Sequence, residues 1–321
     1  MTDEKQNEVS ESKEIPHEIN SISDLSRILQ TLGEPEKGHT RFFRGHGDEG
    51  WQMLPSIYRE NYLIKNEDKI IKDALTYCPD DFLPSDTLFE KLVKLQHYGY
   101  STRLLDLTTN ALVALYFSAW NKQQHEKDGE LIILDIPDKQ IKYGDSDTVT
   151  ILSAISLRPL EFNILAPALL FDSYSETSTK KPSTEEYEKA RVEYFNTDPV
   201  IVPLLDDIRS DKPYFRPVIN SEDLNCVLCV RAKLNNARIS RQQGCFLLFG
   251  IERGKVSPAA IPNEWQPFAS NGQKILVKAE SKAAIMQELQ SFGISKRTLF
   301  PELEAQATEI MEQYNPDSKK P

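Results

Sequence analysis

The sequence lacks the marks of several common protein classes. None of its apolar runs approaches the ~20 residues of a membrane-spanning helix. The acidic N-terminal segment contains no hydrophobic signal core. No GxxxxGK, HExxH or GxSxG motif occurs, which excludes the common nucleotide-hydrolase, zinc-protease and esterase explanations. An internal repeat of roughly 20–50 residues is absent as well.

An excess of positive charge is also missing. The chain has 321 residues and a formal net charge of -11, so it has no general electrostatic attraction for phosphate backbones. We therefore expect no broad, sequence-independent nucleic-acid binding and no membrane partner, while a local basic pocket stays compatible with the composition. Apolar residues make up 39% and charged residues 27%, which fits a globular protein with some solvated segments.

Cysteine is scarce, with four residues, and Cys226 and Cys229 form a CxxC pair. That spacing occurs in zinc and redox sites. Here it lies in LNCVLCVRA, which indicates a buried strand, and residues i and i+3 of a strand point to opposite faces. We predict small buried hydrophobic residues rather than a metal site. Cysteines without evident pairing, together with the missing signal core, predict a reducing, cytoplasmic location.

Both ends of the chain are polar, and residues 1–18 and 316–321 are predicted to be disordered tails. After the first tail, Ser21 begins an amphipathic helix, with Asp24 in the capping-box position and Gly33 at its end. A second helix starts at Pro84 and Ser85 and places His97 in its last turn. There the helix dipole favours a positive imidazole, which is a sufficient structural reason for that histidine.

The stretch from Gln96 to Trp120, QHYGYSTRLLDLTTNALVALYFSAW, joins a polar cluster to a run of core residues. Thr109 or Asn110 is predicted to cap a central helix from Ala111 to about Gln124. Two interpretations of this helix start stay open. Its free N–H groups receive an anion, or Asp106 and the neighbouring threonines satisfy them.

Several strands are predicted around these helices, at FF (42–43), ELIILDI (130–136), CVLCVRA (226–232), ARISRQQGCFLLFGIE (237–252) and KILVKAE (274–280). Arg44 lies at the end of the first, either as a structural ion pair or as an anion clamp. It is followed by Gly45, which allows close backbone approach. The fold class is α+β, a mixed, mostly antiparallel central sheet with surrounding helices.

The strand predicted at 237–252 contains two adjacent glutamines. Alternation places Gln243 on the face of Cys245 and Leu247, and Gln242 on the opposite face. Both faces are otherwise apolar, so at least one amide is expected to lie inside a packed region and to need a partner or a ligand. Gly244 beside them suits a close approach of another backbone.

Four motifs in order, FFRGHG, the Gln96–Trp120 stretch, ARISRQQGCFLLFG and ISKRTLFPELEAQA, resemble the FRG domain, a bacterial and phage family named for its Phe-Arg-Gly motif. The resemblance spans roughly residues 38–312. It makes 19–315 one FRG domain with a polar, partly helical insertion at about 173–198. A role in phage–host conflict is what this resemblance implies.

The order of these motifs is in turn similar to that of ADP-ribosyltransferases, which carry an Arg or His on a first strand and a Glu or Gln on a late one. This second resemblance implies an ADP-ribosyltransferase-like fold, NAD as substrate, and catalytic roles for Arg44, Thr102, Gln242 and Gln243. The ligand-binding residues that it implies are Gly45, His97, Gly99, Arg103, Asp106 and Gly244. No metal is predicted, and the macromolecular acceptor is not specified.

Two other functions stay open at this point. Glutamine stands where a carboxylate would best stabilise a cation-like sugar, so a non-catalytic module that recognises a nucleotide, a nucleic acid or a protein is one alternative. Glu252 and Glu130 could replace the missing carboxylate. The other alternative is a nuclease or hydrolase built on His97, Arg103 and Asp106.

Overall fold

The computed structural model describes residues 17–120, 126–165, 167, 184–233, 236–268, 273–302, 306–307 and 311. The predicted tail at 316–321 and most of the tail at 1–18 lie outside these residues. So do positions 121–124 of the predicted central helix and the first part of the predicted insertion. Within the described residues, no helix is long and apolar enough to cross a membrane.

The described residues form a mixed α+β fold around one eight-stranded sheet with the order β1-β8-β4-β2-β3-β7-β6-β5. Two pairs at its edges are parallel, β1 with β8 and β5 with β6, and the other neighbours are antiparallel. The strands are β1 Glu18–Ile19, β2 His39–His46, β3 Leu104–Thr108, β4 Gly129–Pro137, β5 Ile141–Tyr143, β6 Val227–Arg231, β7 Gly244–Phe249 and β8 Ile275–Val277. The predicted fold class is confirmed.

Helices pack around this sheet. The described residues contain α1 Ile22–Leu32, α2 Asn61–Lys65, α3 Glu67–Tyr77, α4 Leu88–His97, α5 Ala111–Ala119, α6 Asp147–Ala154, α7 Thr184–Thr197, α8 Val202–Asp211, α9 Ser221–Leu224, α10 Ala237–Arg241, α11 Lys282–Ser291 and α12 Lys296–Leu299. The helix predicted near the end of the polar insertion is α7. Phe195 and Asn196 in its last turn are buried, so this end belongs to the core.

Local capping chemistry sets the helix starts. The Ser21 side chain accepts from the amide of Asp24 and Gly33 ends α1 with a positive φ, as predicted. For α4 the prediction was three residues too early. Thr87 forms the capping box with Glu90, because its hydroxyl and the Glu90 carboxylate satisfy each other's backbone amides.

One face of the sheet carries two separate groups of helices. Helices α1, α5 and α11 pack on the half that contains Phe43, Leu131 and Ile133. Helices α3, α4, α6 and α8 pack on the half that contains Leu104, Phe246 and Leu248. The opposite face is covered around Trp265. The two helical groups meet over β2 and β3, at the centre of the sheet.

The CxxC pair has no shared site. Cys229 is fully buried in β6 and Cys226 precedes that strand, and both are free thiols. Burial raises the pKa of the Cys226 thiol to about 12, so it stays protonated. The two cysteines pack against different core clusters, as the predicted divergence requires, but only Cys229 is fully buried and Cys226 is half-buried.

Candidate functional site

A cavity of about 260 Å³ opens where β2 and β3 diverge. In the described sheet these two strands share a single register pair, Phe43 with Thr108, although β2 pairs with β4 over its whole length. The lining residues come from both strands, from α5 and α10, and from the segment after β2. They are Phe43, Arg44, Gly45, Trp51, Arg59, Asp106, Leu107, Thr108, Val113, Ala114, Phe117, Trp120, Arg238 and Gln242.

Arg44 occupies the gap between the strands. Its Nη1 donates to the backbone carbonyl of Asp106 at 2.6 Å, and its Nε donates to Nε2 of His46 at 3.0 Å. No carboxylate of the described residues lies within ion-pair distance of its guanidinium. Burial lowers the pKa of Arg44 to about 10, the charge of Asp106 opposes that shift, and Arg59 adds to it. The cavity therefore contains a half-buried cation held by neutral acceptors.

His46 is neutral and completes the support of Arg44. It is 1% exposed, and burial together with the charges of Arg44, Arg59 and Lys274 lowers the pKa of its imidazole to about 3. Because Nε2 accepts from Arg44, the remaining proton of the neutral ring is on Nδ1. That atom lies 3.9 Å from the carboxylate of Glu130. Because the His46 imidazole is neutral, it can accept a hydrogen bond from Arg44 and does not compete with Arg44 for the negative charge of a ligand.

Two further arginines and several aromatic rings surround the cavity. The Arg59 guanidinium lies 5.9 Å from the ring of Trp51, and that of Arg238 lies 4.7 Å from the ring of Phe300. Trp120 stacks on Tyr116 and contacts Phe300. Trp51 and Trp120 are 37% and 39% exposed. Such exposed, supported indole faces can receive a planar ring.

Asp106 is the single carboxylate among the residues that line this cavity. It is the exposed residue of an otherwise buried β3. It lies on the same face of the sheet as Thr108 and Leu104, between the two helical groups. Its Oδ2 accepts from Nε2 of Gln96 at 2.9 Å. Against three arginines, one carboxylate leaves the cavity positively charged.

Helix α5 forms the other wall and depends on Gly45. A Cβ at Gly45 would overlap the carbonyl oxygen of Ala114 and the backbone and hydroxyl of Ser118, so only glycine allows this helix to lie on β2. Asn110 caps the helix and accepts from the amides of Leu112 and Val113. Of the two open interpretations, these contacts favour self-capping. Helix α5 ends at Ala119, earlier than predicted.

The prediction of a single strand at 237–252 is wrong over its first half. Asn236 caps the short helix α10 with its side chain, and a turn at Gln242 and Gln243 then leads into β7. Gln243 has a φ of 47° and is exposed, while Gln242 is half-buried. The expected buried amide inside a strand is therefore absent from these two positions.

The two glutamines line different cavities. Gln242 lines the Arg44 cavity and its Nε2 donates to the carbonyl of Leu299 at 3.2 Å, while the Thr108 hydroxyl donates to the Gln242 carbonyl at 2.7 Å. Gln243 and Gly244 line a neighbouring cavity of about 900 Å³. A Cβ at Gly244 would make only an ordinary contact with Ile239, at 3.5 Å.

The remaining predicted residues do not line the Arg44 cavity. Thr102 is fully buried, and its hydroxyl donates to Oε1 of Gln96 at 2.5 Å. His97 lies 3.6 Å from Glu302, and burial and the charge of Arg238 lower the pKa of its imidazole despite that carboxylate. Gly99 ends α4 with a φ of 88°. Their roles in ligand binding or catalysis stay predictions.

Arg103 is enclosed in a separate charged cluster. Its Nε and Nη2 donate to the two carboxylate oxygens of Glu67 at 2.9 and 2.5 Å, and Lys255 lies 3.0 Å from the same carboxylate. All three side chains are at most 1% exposed. Burial alone would lower the pKa of Arg103, but the charges of Glu67 and Tyr58 and their hydrogen bonds together outweigh it and raise the pKa. These contacts account for Arg103 without a ligand.

Residues 45–50, GHGDEG, have the GxGxxG spacing of dinucleotide-binding loops. The structural context differs from that fold. Strand β2 is antiparallel to both neighbours, and the glycines lead into a turn and a short 3-10 segment at Ser56–Tyr58. A dinucleotide fingerprint needs a βαβ unit whose helix begins at the glycines. The GxGxxG spacing therefore does not indicate a Rossmann fold here.

Among the lining residues that were missed by the sequence analysis, four carry a positive charge or an indole ring: Trp51, Arg59, Trp120 and Arg238. Exposed aromatic and basic residues close to predicted site motifs were the available signal. It is a weak one, because the sequence does not indicate that the segment after β2 folds back over the end of that strand.

Comparison with known proteins identifies one domain. Residues 39–127 match the model of the FRG domain, so the chain contains an FRG domain. The match covers β2, β3 and α5, which supply Arg44, Asp106 and one wall of the cavity. No curated protein and no solved structure matches the chain.

Proposed function

We propose that the Arg44 cavity binds an anionic nucleotide and that NAD is its ligand. The observation that supports this is Arg44 itself, a half-buried guanidinium without a carboxylate partner among the described residues. Arg59 and Arg238 line the same cavity, and Trp51 and Trp120 present indole faces at it. A diphosphate would supply the missing negative charge, and an indole would supply the surface for a planar base.

The size of the cavity refines this proposal. At about 260 Å³ it lies just below the ~300–1,000 Å³ of typical small-molecule sites. One nucleotide half of NAD would therefore lie inside, and the other half would extend past the exposed tryptophans. The phosphates would lie between the halves, within reach of the arginines at the rim.

The reaction that this arrangement would serve is transfer of ADP-ribose, with release of nicotinamide. Of the lining residues, Asp106 carries the carboxylate that such a reaction needs. Glu130 does not line the cavity and is held by Lys274 at 3.2 Å, and Glu252 is exposed on a distant turn. A role in phage–host conflict is an expectation from the resemblance, which does not specify the acceptor.

A calorimetric titration tests the binding step. NAD is titrated into the wild-type protein, into Arg44→Met and into Arg216→Met, an exposed arginine away from the cavity. We expect the first substitution to raise Kd at least about 30-fold, because a desolvated charge–charge contact is worth roughly 2 kcal/mol or more. Arg216→Met should bind like the wild type. No heat of binding from the wild type at millimolar NAD would refute the proposal.

A second candidate, a non-catalytic nucleotide-recognition module, is favoured by one specific contact. The Gln242 amide donates to the carbonyl of Leu299, so the late position contributes a structural amide rather than a carboxylate. This function predicts NAD binding without release of nicotinamide. Detection of labelled ADP-ribose on any acceptor would exclude it.

A further inference from the structure

We infer that Asp106 is the residue that faces the nicotinamide ribose, and that Thr102 and Gln96 act as positioning residues for its carboxylate. This inference rests on the proposed function. It deepens that function by assigning a carboxylate to the reaction and by giving the buried Thr102 a role that does not require contact with ligand. Gln96 begins the Gln96–Trp120 motif but has no individual role in the prediction made from the sequence.

The three side chains form one directed chain of hydrogen bonds. The Thr102 hydroxyl accepts from the amide of Leu104 at 3.2 Å and donates its single proton to Oε1 of Gln96 at 2.5 Å. That bond fixes the orientation of the Gln96 amide, with its oxygen toward Thr102 and its NH₂ group toward the cavity. Nε2 then donates to Oδ2 of Asp106 at 2.9 Å.

The rigid surroundings of Thr102 make this chain a support rather than a flexible contact. Thr102 is fully buried, and the next residue, Arg103, is locked by Glu67. Gln96 lies in the last turn of α4, a helix anchored at its other end by a capping box. Asp106 by contrast is exposed and would be free to rotate without the bond from Gln96. These hydrogen bonds therefore hold the exposed carboxylate of Asp106 in a fixed position relative to the core.

Asp106 is also held by Arg44 through the backbone. Nη1 of Arg44 donates to the main-chain carbonyl of Asp106. Both carboxylate oxygens of Asp106 lie beyond ion-pair distance of the Arg44 guanidinium. One oxygen accepts from Gln96, and the other can face the ligand. A phosphate on Arg44 and a cationic ring near Asp106 would then be adjacent in a single ligand, as they are in NAD.

The reaction balances with water or a nucleophilic side chain of an acceptor protein as co-reactant. The bond between C1′ of the ribose and the nicotinamide nitrogen breaks, and its electron pair leaves with neutral nicotinamide. The acceptor oxygen or nitrogen forms the new bond to C1′ and releases its proton. The Asp106 carboxylate stabilises the positive charge that develops on the ribose and receives that proton.

A comparison of two ligands tests this placement without any need for turnover. Oxidised NAD carries a positive nicotinamide ring, whereas the ring of NADH is neutral. A carboxylate about 5 Å from the ring at the cavity mouth favours the oxidised form roughly fivefold to tenfold. We expect the wild type to show this preference in calorimetry. Asp106→Asn should bind both forms with about equal Kd and release nicotinamide at least about 100-fold more slowly.

The positioning residues are tested by near-isosteric changes. Thr102→Val removes the donor to Gln96, and Thr102→Ser restores it. Gln96→Glu retains oxygens for Thr102 but replaces the NH₂ group that faces Asp106. We expect Thr102→Val and Gln96→Glu to lose most of the preference for oxidised NAD, and Thr102→Ser to retain it. Melting temperatures of all variants identify any that fail to fold.

The outcomes separate the two proposals. If the wild type binds neither ligand, the proposed function fails and the assignment of Asp106 fails with it. If the wild type binds NAD and Asp106→Asn keeps the wild-type preference, only the assignment of Asp106 is overturned. If Asp106→Asn loses the preference while folded Thr102→Val and Gln96→Glu retain it, Asp106 faces the ring without the help of the other two.

Discussion

Two arginines beside the gap between β2 and β3 have opposite electrostatic surroundings, although one is fully buried and the other is half-buried. Arg103, at the start of β3, is bidentate to Glu67, and the pKa of its guanidinium is raised. Arg44, on β2, has only neutral hydrogen-bond acceptors among the described residues, and burial lowers its pKa to about 10. The difference separates an arginine paired with a carboxylate of the fold from one without such a partner among the described residues, and the proposed ligand site rests on the second.

The number of carboxylates at each place explains the contrast. Helix α3 brings Glu67 into the core between Arg103 and Lys255, where one carboxylate holds two cations. Around Arg44 the packed groups are His46, whose neutral ring accepts, and the positive Arg59. Burial of a charge is tolerated when a partner is present and is costly otherwise. We therefore expect substitutions in the two regions to affect different properties.

The largest effect is expected from Glu67→Gln. It leaves Arg103 and Lys255 buried without their carboxylate, so the free energy of unfolding should fall by about 3–5 kcal/mol. Urea denaturation followed by circular dichroism measures it. Arg103→Met is the control, since it leaves Glu67 paired with Lys255 and should cost less. Equal losses in the two variants would contradict the view that one carboxylate satisfies both cations.

A smaller loss is expected from Gly45→Ala on the cavity side. The added methyl group would overlap the backbone of α5, and relief of that overlap costs roughly 1–3 kcal/mol of stability and displaces a cavity wall. Gly244→Ala is the matched control, because its methyl group would meet Ile239 at an ordinary distance. Thermal unfolding and NAD titration compare the two. A stable Gly45→Ala protein would show that α5 can shift freely.

The neutral state of His46 predicts a pH dependence of stability. Its pKa is about 3 in the folded protein and about 6.5 in an unfolded chain. The unfolded state thus binds more protons between these values, so stability is full above pH 6.5 and falls as pH decreases toward 3. From pH 6.5 to 5 the loss should be about 1.5 kcal/mol. His46→Gln should reduce this dependence in urea denaturation; an unchanged slope would show that His46 is charged.

The smallest effect on stability is expected from Arg44→Met. The two lost hydrogen bonds go to neutral acceptors and are worth about 1 kcal/mol each, and removal of a desolvated charge offsets them. The free energy of unfolding should stay within about 1 kcal/mol of the wild-type value. Urea denaturation beside Glu67→Gln tests the comparison directly. A loss as large as that of Glu67→Gln would make Arg44 as structural as Arg103.

Local signals in the sequence were sufficient for much of the fold. The cap at Ser21, the buried run of β4 and the central helix after Asn110 were predicted from residues close in the chain, and the structure confirms them. The prediction failed at 237–243, where alternation of apolar residues indicated a strand. There the Asn236 cap begins a short helix, and the positive φ of Gln243 turns the chain.

The candidate site was predicted only in part. Arg44 and Gln242, two of the residues with a predicted catalytic role, line one cavity, and Asp106 lies with them. Thr102 lies behind Gln96 instead, and Gln243 faces another cavity. Near a turn, the backbone angles decide which side of the chain a residue faces. One extra residue in the turn reverses that side. Sequence spacing alone could not decide whether Gln242 or Gln243 lines the Arg44 cavity.

The sequence by itself determined the α+β class, the helix caps at Ser21 and Asn110, and the core character of Cys229. These depend on interactions between residues a few positions apart. Only the tertiary structure decided which arginine has a carboxylate. Glu67 reaches Arg103 across 36 positions, while no carboxylate of the described residues reaches Arg44. Such pairings depend on how α3 and the diverging strands pack, and local sequence patterns carry no record of that packing.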